Sequence, residues 1–566
     1  MNNYLLTLNK EDKCIDIVFD KNINAKKLKV IEDEHAFMFI DGYFINAAEF
    51  IKKNSTAENI ELEQLLFKLS KINFNHFGQL DGSFNIFFFD KKKNCFGYTN
   101  DFWGSRTTYI HKTKNKYLFS NDLYFLKKYI KCELTPNLKK IKELLAWQQI
   151  GSRSTYYNEI DKLGPGIVLE ITSNEISETS LNIIDSRKKL TKYDKKNFIE
   201  IFESAVSNRA SHFKKNIVML SGGLDSSAVA VALKNNAYHN AETVSVNYSH
   251  LTEFPDTDER KYQDIVSSFT KFNNNHIEME NRSVLGHIKK YVHIFQEPLL
   301  LPNLYIFEAI CENLTSKEVD AIFDGDDGDN VISYGFDNIY RQFISLNFFA
   351  FFSSIFDYAK VHNKSKRRML KFFLTNCLKK LIGYKGRVRN NSLLNKNSFI
   401  DTERDISGNV FDSHESLLKN NLHYIAFYQK QRIFGRLGIE TVSPFYDRKL
   451  LNFCLNMPAN FKFNKGYTRY IEREYLNDFL GPELAFRANK SNLSPGLVSN
   501  FSNYDFEMVM REKSNLNNML LELIDLQKLD AICDKWIRKH KINEEDVINL
   551  QIFLNINIFL NEFFDK

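Results

Sequence analysis

Residues 216–235 read NIVMLSGGLDSSAVAVALKN. A short apolar run ending at Leu220 stops at Ser221-Gly222-Gly223, and Leu224-Asp225-Ser226-Ser227 then opens a stretch rich in Ala and Val at helical spacing. The order strand, glycine turn, helix suits anion binding. Two glycines let the chain turn tightly and bring backbone N–H groups to phosphate oxygens, and the helix N-terminus adds partial positive charge. No Walker-type lysine follows, which argues against γ-phosphate transfer. A plain turn capped by Ser226 is the alternative, and the ordered Gly, Gly, Asp, Ser, Ser set weighs against it.

Outward from this loop, helix and strand alternate. NFIEIFESAVSNRASHF (197–213) has helical spacing, and ETVSVNY (242–248) and VDAIFDG (319–325) read as strands, which predicts a parallel α/β sheet. Before residue 180 the pattern is strands and turns: HAFMFIDGYFIN (35–46), GQLDGSFNIFFFDKKKNCFGYTN (78–100), NKYLFSND (115–122) and GPGIVLEIT (164–172). The polar run SRKKLTKYDKKN (186–197) reads as a linker, giving a β-rich unit over 1–185 and an α/β unit over 197–566 that turns mostly helical after about 340. No internal repeat is visible.

After the strand VDAIF comes Asp324-Gly325-Asp326-Asp327-Gly328-Asp329. It falls at the C-terminal edge of the predicted sheet, where open α/β sheets bind ligands. Carboxylates crowded there need a cation, and magnesium bridging them to nucleotide phosphates supplies one. An EF-hand reading fails on the spacing of its Gly and terminal Glu.

With 566 residues, a net charge of +6, 43% hydrophobic and 26% charged residues, the chain is neither disordered, collagen-like nor a many-pass membrane protein. Its seven scattered cysteines form no C-x-x-C pair and point to a reducing cytoplasm. The N-terminus shows neither a secretory signal nor an anchor.

SGGLDSS after a strand resembles the pyrophosphate loop of ATP pyrophosphatases, and the flanking text resembles the asparagine synthetase superfamily. Those enzymes adenylate a carboxylate, release pyrophosphate, and let an amine attack the acyl-adenylate. In the first unit IDGYFIN, FGQLDGSFNIFFFD, TNDFWGSRTTYI and LGPG look like an N-terminal-nucleophile-type (Ntn) glutaminase domain. In the second, PFYDRKLL and FRANKSNLSPG look like synthetase landmarks. The resemblance implies ATP and Mg2+ as cofactors. It implies Asp225 and Asp329 as metal ligands, and Leu220, Ser221, Gly222, Gly223, Ser226, Val246 and Gly325 around the nucleotide, with Leu220 and Val246 matching more loosely.

Asp326 stands where relatives have Glu or Tyr, which implies general-base work or orientation of the amine. Lys490 in FRANKSNLSPG matches the family lysine that offsets charge on the leaving group and at the reacting carbonyl, and Arg487 is placed to assist with phosphate. Glu259 matches a position near the nucleotide, with an exposed helix charge as the equal alternative.

A glutaminase of this type uses an N-terminal cysteine whose own α-amine is the base. Residue 2 is Asn2 and Cys14 lies too far along, so glutamine hydrolysis is expected to be absent. Relatives without that cysteine include β-lactam-forming synthetases and lasso-peptide macrocyclases. PFYDRKLLNFCLNMP, GYTRY and KSNLSPG look most like the latter. One departure is that no acidic residue lies between Ser416 and Ile439, where several cyclising relatives carry a Glu; Tyr428 or His423 would have to replace it as partner of Asp326.

At about 340–400, QFISLNFFAFFSSIFDY precedes AKVHNKSKRRMLKFFLTNCLKKLIGYKGRVR. The apolar part is shorter than the ~20 residues of a spanning helix. An amphipathic helical pair with a solvated basic face is favoured over a contact with a membrane, a transporter or an acidic precursor, and nucleic acid is not expected.

Together these readings lead to an ATP-dependent, AMP-forming amide ligase that closes an isopeptide macrolactam in a lasso-type peptide. Its carboxylate substrate is a peptide or a small molecule, and a leader peptidase and a transporter are companions of such a pathway. The alternatives are ammonia-dependent asparagine synthesis or a small-molecule amidotransferase, and a nucleotide-binding scaffold without turnover.

Overall fold

The computed structural model describes residues 3–9, 14–20, 28–55, 60–71, 74–147, 153–172, 175–181, 193–299, 302–383, 392–395, 398, 414, 422–489, 492–539 and 542–565. The first unit is a pair of antiparallel sheets. β1 (Tyr4–Asn9), β2 (Cys14–Phe19), β7 (Tyr109–Lys112), β8 (Lys116–Ser120) and β9 (Ile160–Lys162) form one, in the order β2-β1-β8-β7-β9. β3 (Leu28–Glu32), β4 (Ala36–Phe44), β5 (Gly82–Asp90), β6 (Cys95–Asn100), β10 (Ile167–Ile171) and β11 (Ile176–Ser180) form the other, in the order β11-β10-β6-β5-β4-β3.

The phenylalanine-rich β5 explains this layering. Side chains alternate along a strand, so Phe87 and Phe89 enter the core between the sheets with Tyr4, Tyr98 and Phe119. Phe84, Ile86 and Phe88 face the opposite way, onto the helix Leu62–Ser70. One strand thus serves two cores.

The second unit is a five-stranded sheet, parallel throughout: β12 (Asn216–Met219), β13 (Glu242–Asn247), β14 (Asn274–Glu278), β15 (Ala321–Phe323) and β16 (Glu440–Val442), in the order β14-β13-β12-β15-β16. The central strands are buried, as a sheet covered on both faces requires; β12 and β15 are largely apolar, whereas β13 also buries Thr243, Ser245 and Asn247. β14 and β16 went unpredicted: NNHIE is largely polar and ETV is three residues long. The helix Lys195–Ala210 begins inside the expected linker, because Asp194 caps it by accepting from the Asn197 N–H at 2.8 Å. The rest of that linker, through residue 192, lies outside the described residues.

The insert folds as helices Phe336–Ile344, Phe348–Val361 and Lys366–Leu381. Ile339, Phe351, Ile355, Phe373 and Cys377 pack with Phe463 in a satellite core, which matches the expected amphipathic pair. No described helix is long and apolar enough to cross a membrane.

Buried polar contacts join the two units. Trp103 donates its indole N–H to the Tyr446 carbonyl at 2.7 Å. Arg106 binds Glu440, the first residue of β16, at 2.6 Å and Asp41 at 3.1 Å. Arg432 binds Glu297 at 2.9 Å and donates to the Tyr109 hydroxyl at 3.1 Å. Breaking a buried pair leaves an uncompensated charge, so Arg106→Ala should destabilise the protein by about 3–5 kcal/mol. Chemical unfolding followed by fluorescence checks this; an unchanged midpoint would show that the contact is dispensable.

Candidate functional site

The loop after β12 is held by its own hydroxyls. Ser226 Oγ accepts from the Ser221 N–H at 3.2 Å and lies 2.9 Å from Ser221 Oγ, and Ser221 Oγ accepts from the Gly223 N–H at 3.2 Å. Gly222 sits at φ +83° against Glu259, where a Cβ would come within 3.0 Å of the carboxylate. Gly223 precedes the first turn of the helix Leu224–Asn235. The N–H groups of that turn and its dipole therefore point at the loop mouth.

Behind the loop lies an unpredicted buttress. Glu259 is buried and paired with Arg487, which also donates to the Gly222 carbonyl at 3.0 Å and stacks on Tyr262. The exposed-charge reading of Glu259 is therefore wrong, because burial demands a partner. Arg487 is a structural strut whose donors are engaged by Glu259, Gly222 and the Asn489 carbonyl, not a phosphate-facing group.

The acidic run after β15 folds directly onto the start of the loop helix. A Cβ on Gly325 would stand 2.5 Å from the Ser226 nitrogen, and one on Gly328 2.3 Å from Asp225 Oδ1. Only glycine permits this approach. Asp225 is thereby brought beside the run that carries Asp329. Arg469, at φ +52°, donates to Asp225 Oδ1 at 2.5 Å, and Tyr334 donates to Asp329 Oδ2 at 2.5 Å. Glu472 is buried beside them, and burial together with the Asp225 charge pushes its carboxyl far above the usual range.

The carboxylates of Asp225 and Asp329 are hard oxygen donors, the chemistry that magnesium carrying nucleotide phosphates takes. The three-residue ligand cluster found among the described residues, His287, Glu308 and Glu312, is elsewhere, and Lys290 and Arg436 already bind Glu308.

A cavity of about 260 Å3 opens beside the loop. Leu220, Val244, Val246, Ile306, Phe307 and Ile310 form an apolar wall suited to a flat heterocycle. Ser221, Asp225, Ser226, Asp324, Gly325 and Asp326 form the polar wall. The site residues expected from sequence thus meet here, except Gly222 and Gly223 in the adjoining turn, Asp329 in the short helix Gly328–Ile332, and Lys490. Lys490 lies outside the described residues, as do Met1 and Asn2. Its flanks are placed, however: Arg487 against the loop, with the Asn489 carbonyl accepting from it, and Leu493 in the cavity lining. Ile306, Phe307 and Ile310, on the helix Leu304–Leu314, were not among the site residues expected from sequence.

The other residue missed from sequence is Lys430. It lies on the helix Leu422–Gly435, is buried, and donates to both Asp324 and Asp326. Burial alone would lower its pKa; the two carboxylates override this and hold the ammonium above the usual lysine range. Asp324 is pushed up to about 6 by burial and by the Asp326 charge. Tyr428 does not partner Asp326. Its hydroxyl is 2.5 Å from that of Tyr109 in the contact between the units, where Lys162 sits over its ring. The side chain of His423 lies outside the described residues.

The asparagine synthase family profile matches residues 197–561, and the glutamine amidotransferase domain profile matches residues 45–182. A curated relative from Methanocaldococcus jannaschii, "Putative asparagine synthetase (glutamine-hydrolyzing) 2", is 24% identical over 325 residues, 55% of this chain. The chain spans 62% of the length of that relative. Two solved structures, an allosteric regulatory enzyme of purine biosynthesis and the glutamine phosphoribosylpyrophosphate amidotransferase of B. subtilis, each align over 49% of this chain and 74% of theirs. Their TM-scores are 0.21, with identities of 8% and 10%.

The glycine contacts give a direct test of the site. Gly325→Ala should weaken ATP binding by at least roughly tenfold, since the turn must move to relieve a contact that real Cβ atoms do not make. Titration calorimetry reads the change, and wild-type affinity would show that the turn does not form the nucleotide site.

Proposed function

The chain belongs to the asparagine synthase family, and on that footing we propose that it is a magnesium- and ATP-dependent, AMP-forming amide ligase that closes an isopeptide macrolactam in a lasso-type peptide. The observation that carries the activation step is the cavity itself, lined both by apolar side chains and by the phosphate loop and carboxylates. In this reading the purine lies against Val246 and Phe307, and the Gly222–Gly223 turn and the helix N-terminus hold the phosphates. Asp225 and Asp329 would hold magnesium, which when bound offsets phosphate charge. A substrate carboxylate attacks the α-phosphorus; the P–O bond to pyrophosphate breaks and an acyl-adenylate forms.

The second step needs a group that accepts a proton from the attacking amine. Asp326 lines the cavity and takes that role, with Lys430 fixing its orientation through one buried ammonium shared with Asp324. The amine's nitrogen bonds to the carbonyl carbon, AMP departs with the C–O bonding pair, and the proton passes to Asp326. Lys490, carried between Asn489 and Leu493, offsets charge on the leaving group.

The choice of a peptide rests on the resemblance of PFYDRKLLNFCLNMP, GYTRY and KSNLSPG to lasso macrocyclases. Holding both ends of one chain in the site lowers the entropic cost of closing the ring. Asparagine synthesis from free ammonia is the second reading; the description of the M. jannaschii relative supports asparagine synthesis but names glutamine hydrolysis, not free ammonia. Leader peptidase and transporter companions follow only if the first reading holds.

Carboxylate-dependent ATP–pyrophosphate exchange separates these readings. Exchange with short peptides bearing an internal Asp or Glu, followed by loss of water in the mass spectrum, is the expected result; exchange with aspartate alone would return the protein to asparagine synthesis. Asp329→Asn and Lys490→Ala should abolish exchange, whereas exchange surviving in both would remove the assigned roles.

Lys430→Met should leave exchange largely intact and slow amide formation by roughly a hundredfold, with partial recovery in Lys430→Arg. Equal loss of both steps would mean that Lys430 serves only the fold.

A further inference from the structure

The hairpin of helices Phe348–Val361 and Lys366–Leu381 presents two different faces. Its inner side is consumed by the satellite core around Phe463. Its outer side is apolar as well as basic. Nine of the twenty-one exposed large apolar side chains among the described residues fall between Ile344 and Ile382. Such clustering on one small substructure is what marks an interaction surface, since scattered exposed residues need no explanation.

The geometry places these side chains at one end. Lys366 lies over the Phe356 ring at the turn end of the hairpin, so the helices run antiparallel. Lys380 lies over Tyr340, which sets the end of the second helix beside Phe336–Ile344 and the start of the first. Leu346, Phe349, Leu381 and Ile382 therefore share the far tip, with exposures of 71%, 89%, 60% and 72%. A phenylalanine that is 89% exposed stands out from the surface and does not line a groove.

Charge identifies the occupant. From 345 to 383 there are eight Lys and Arg against the single acid Asp357, a surplus of seven, larger than the +6 of the entire chain. The rest of the sequence thus sums to −1; within the stretch Lys360, Lys364, Lys366, Arg367 and Arg368 lie at the turn end, and Lys371, Lys379 and Lys380 lie along the second helix towards the tip. On the second helix Arg368, Lys371, Phe372 and Lys379 recur at helical spacing on the exposed side, and the exposed Ile382 follows at its end.

We propose that this tip docks on an anionic lipid surface, with Leu346, Phe349 and Ile382 in the interfacial layer and Lys371 and Lys379 among the headgroups. A protruding apolar tip with Lys379 and Lys380 directly behind it and Lys371 about two turns further along suits a lipid interface, which requires no complementary pocket. The solvated-face expectation for the helical pair is correct for its packing and incomplete for its exterior. This proposal is independent of the chemistry at the nucleotide site.

Co-sedimentation of the full chain with vesicles tests it. Binding to phosphatidylglycerol–phosphatidylcholine vesicles, little binding to pure phosphatidylcholine, and release by molar salt are expected. Leu346→Asp with Phe349→Asp, and separately Lys371→Glu with Lys379→Glu, should each weaken binding by about tenfold or more with the thermal melt preserved. No binding, equal binding to neutral vesicles, or binding unaffected by the apolar pair would overturn the proposal. So would a concentration-dependent dimer, seen by sedimentation velocity and abolished by Phe349→Asp, or capture of an acidic peptide that competes with vesicles and withstands molar salt. Should either pair of changes alter the thermal melt, Ile382→Ser, in the turn after the helix, provides the same reading without touching the packed face.

Discussion

Two glycine backbones pressed against one aspartate organise the second unit. Gly325 and Gly328 bring the turn after β15 onto Asp225 and Ser226, at distances where any side chain would collide. That approach joins the end of one parallel strand to the start of the helix that follows its neighbour. Phosphate-facing N–H groups and cation-facing carboxylates are thereby placed in a single mouth. Concentrating acids so closely would be costly without counter-charge. Arg469 on Asp225 and Lys430 on Asp324 and Asp326 supply it from elements far along the chain, so the fold of the later helices is tied to the electrostatics of an earlier loop.

What could be read from sequence was what is local in sequence. The loop at 221–227 and the acidic run at 324–329 each carry their geometry within a few residues, and both sit where strand-end reasoning put them. Leu220 and Val246 line the cavity because they end adjacent strands. Lys430 was illegible for the opposite reason. Its meaning comes from two carboxylates about a hundred positions away, and in a lysine-rich chain nothing nearby marks it. Glu259 and Arg487 were seen as a pair of separate charges, and only their burial together reveals a strut. β16 was missed because three residues have no periodicity to read.

The first unit supports the second through polar contacts, not an apolar seam alone. Arg106 reaches across to the opening residue of β16, and Trp103 donates to the carbonyl of Tyr446, whose hydroxyl in turn binds Asp327. The β-rich unit is thereby connected to the acidic turn through a single tyrosine. The unit that matches the glutamine amidotransferase domain thus also braces the second one mechanically.

β15 and β16 lie side by side in the sheet, yet everything from 324 to 439 runs between them. Since the penalty for closing a loop grows only with the logarithm of its length, that excursion can lengthen, shorten or exchange its contents with little effect on the sheet. Only its two ends, the acidic turn and the helix bearing Lys430, are bound to the reacting groups. The middle is where descent can experiment: a lineage can acquire new attachments there while inheriting its chemistry unaltered.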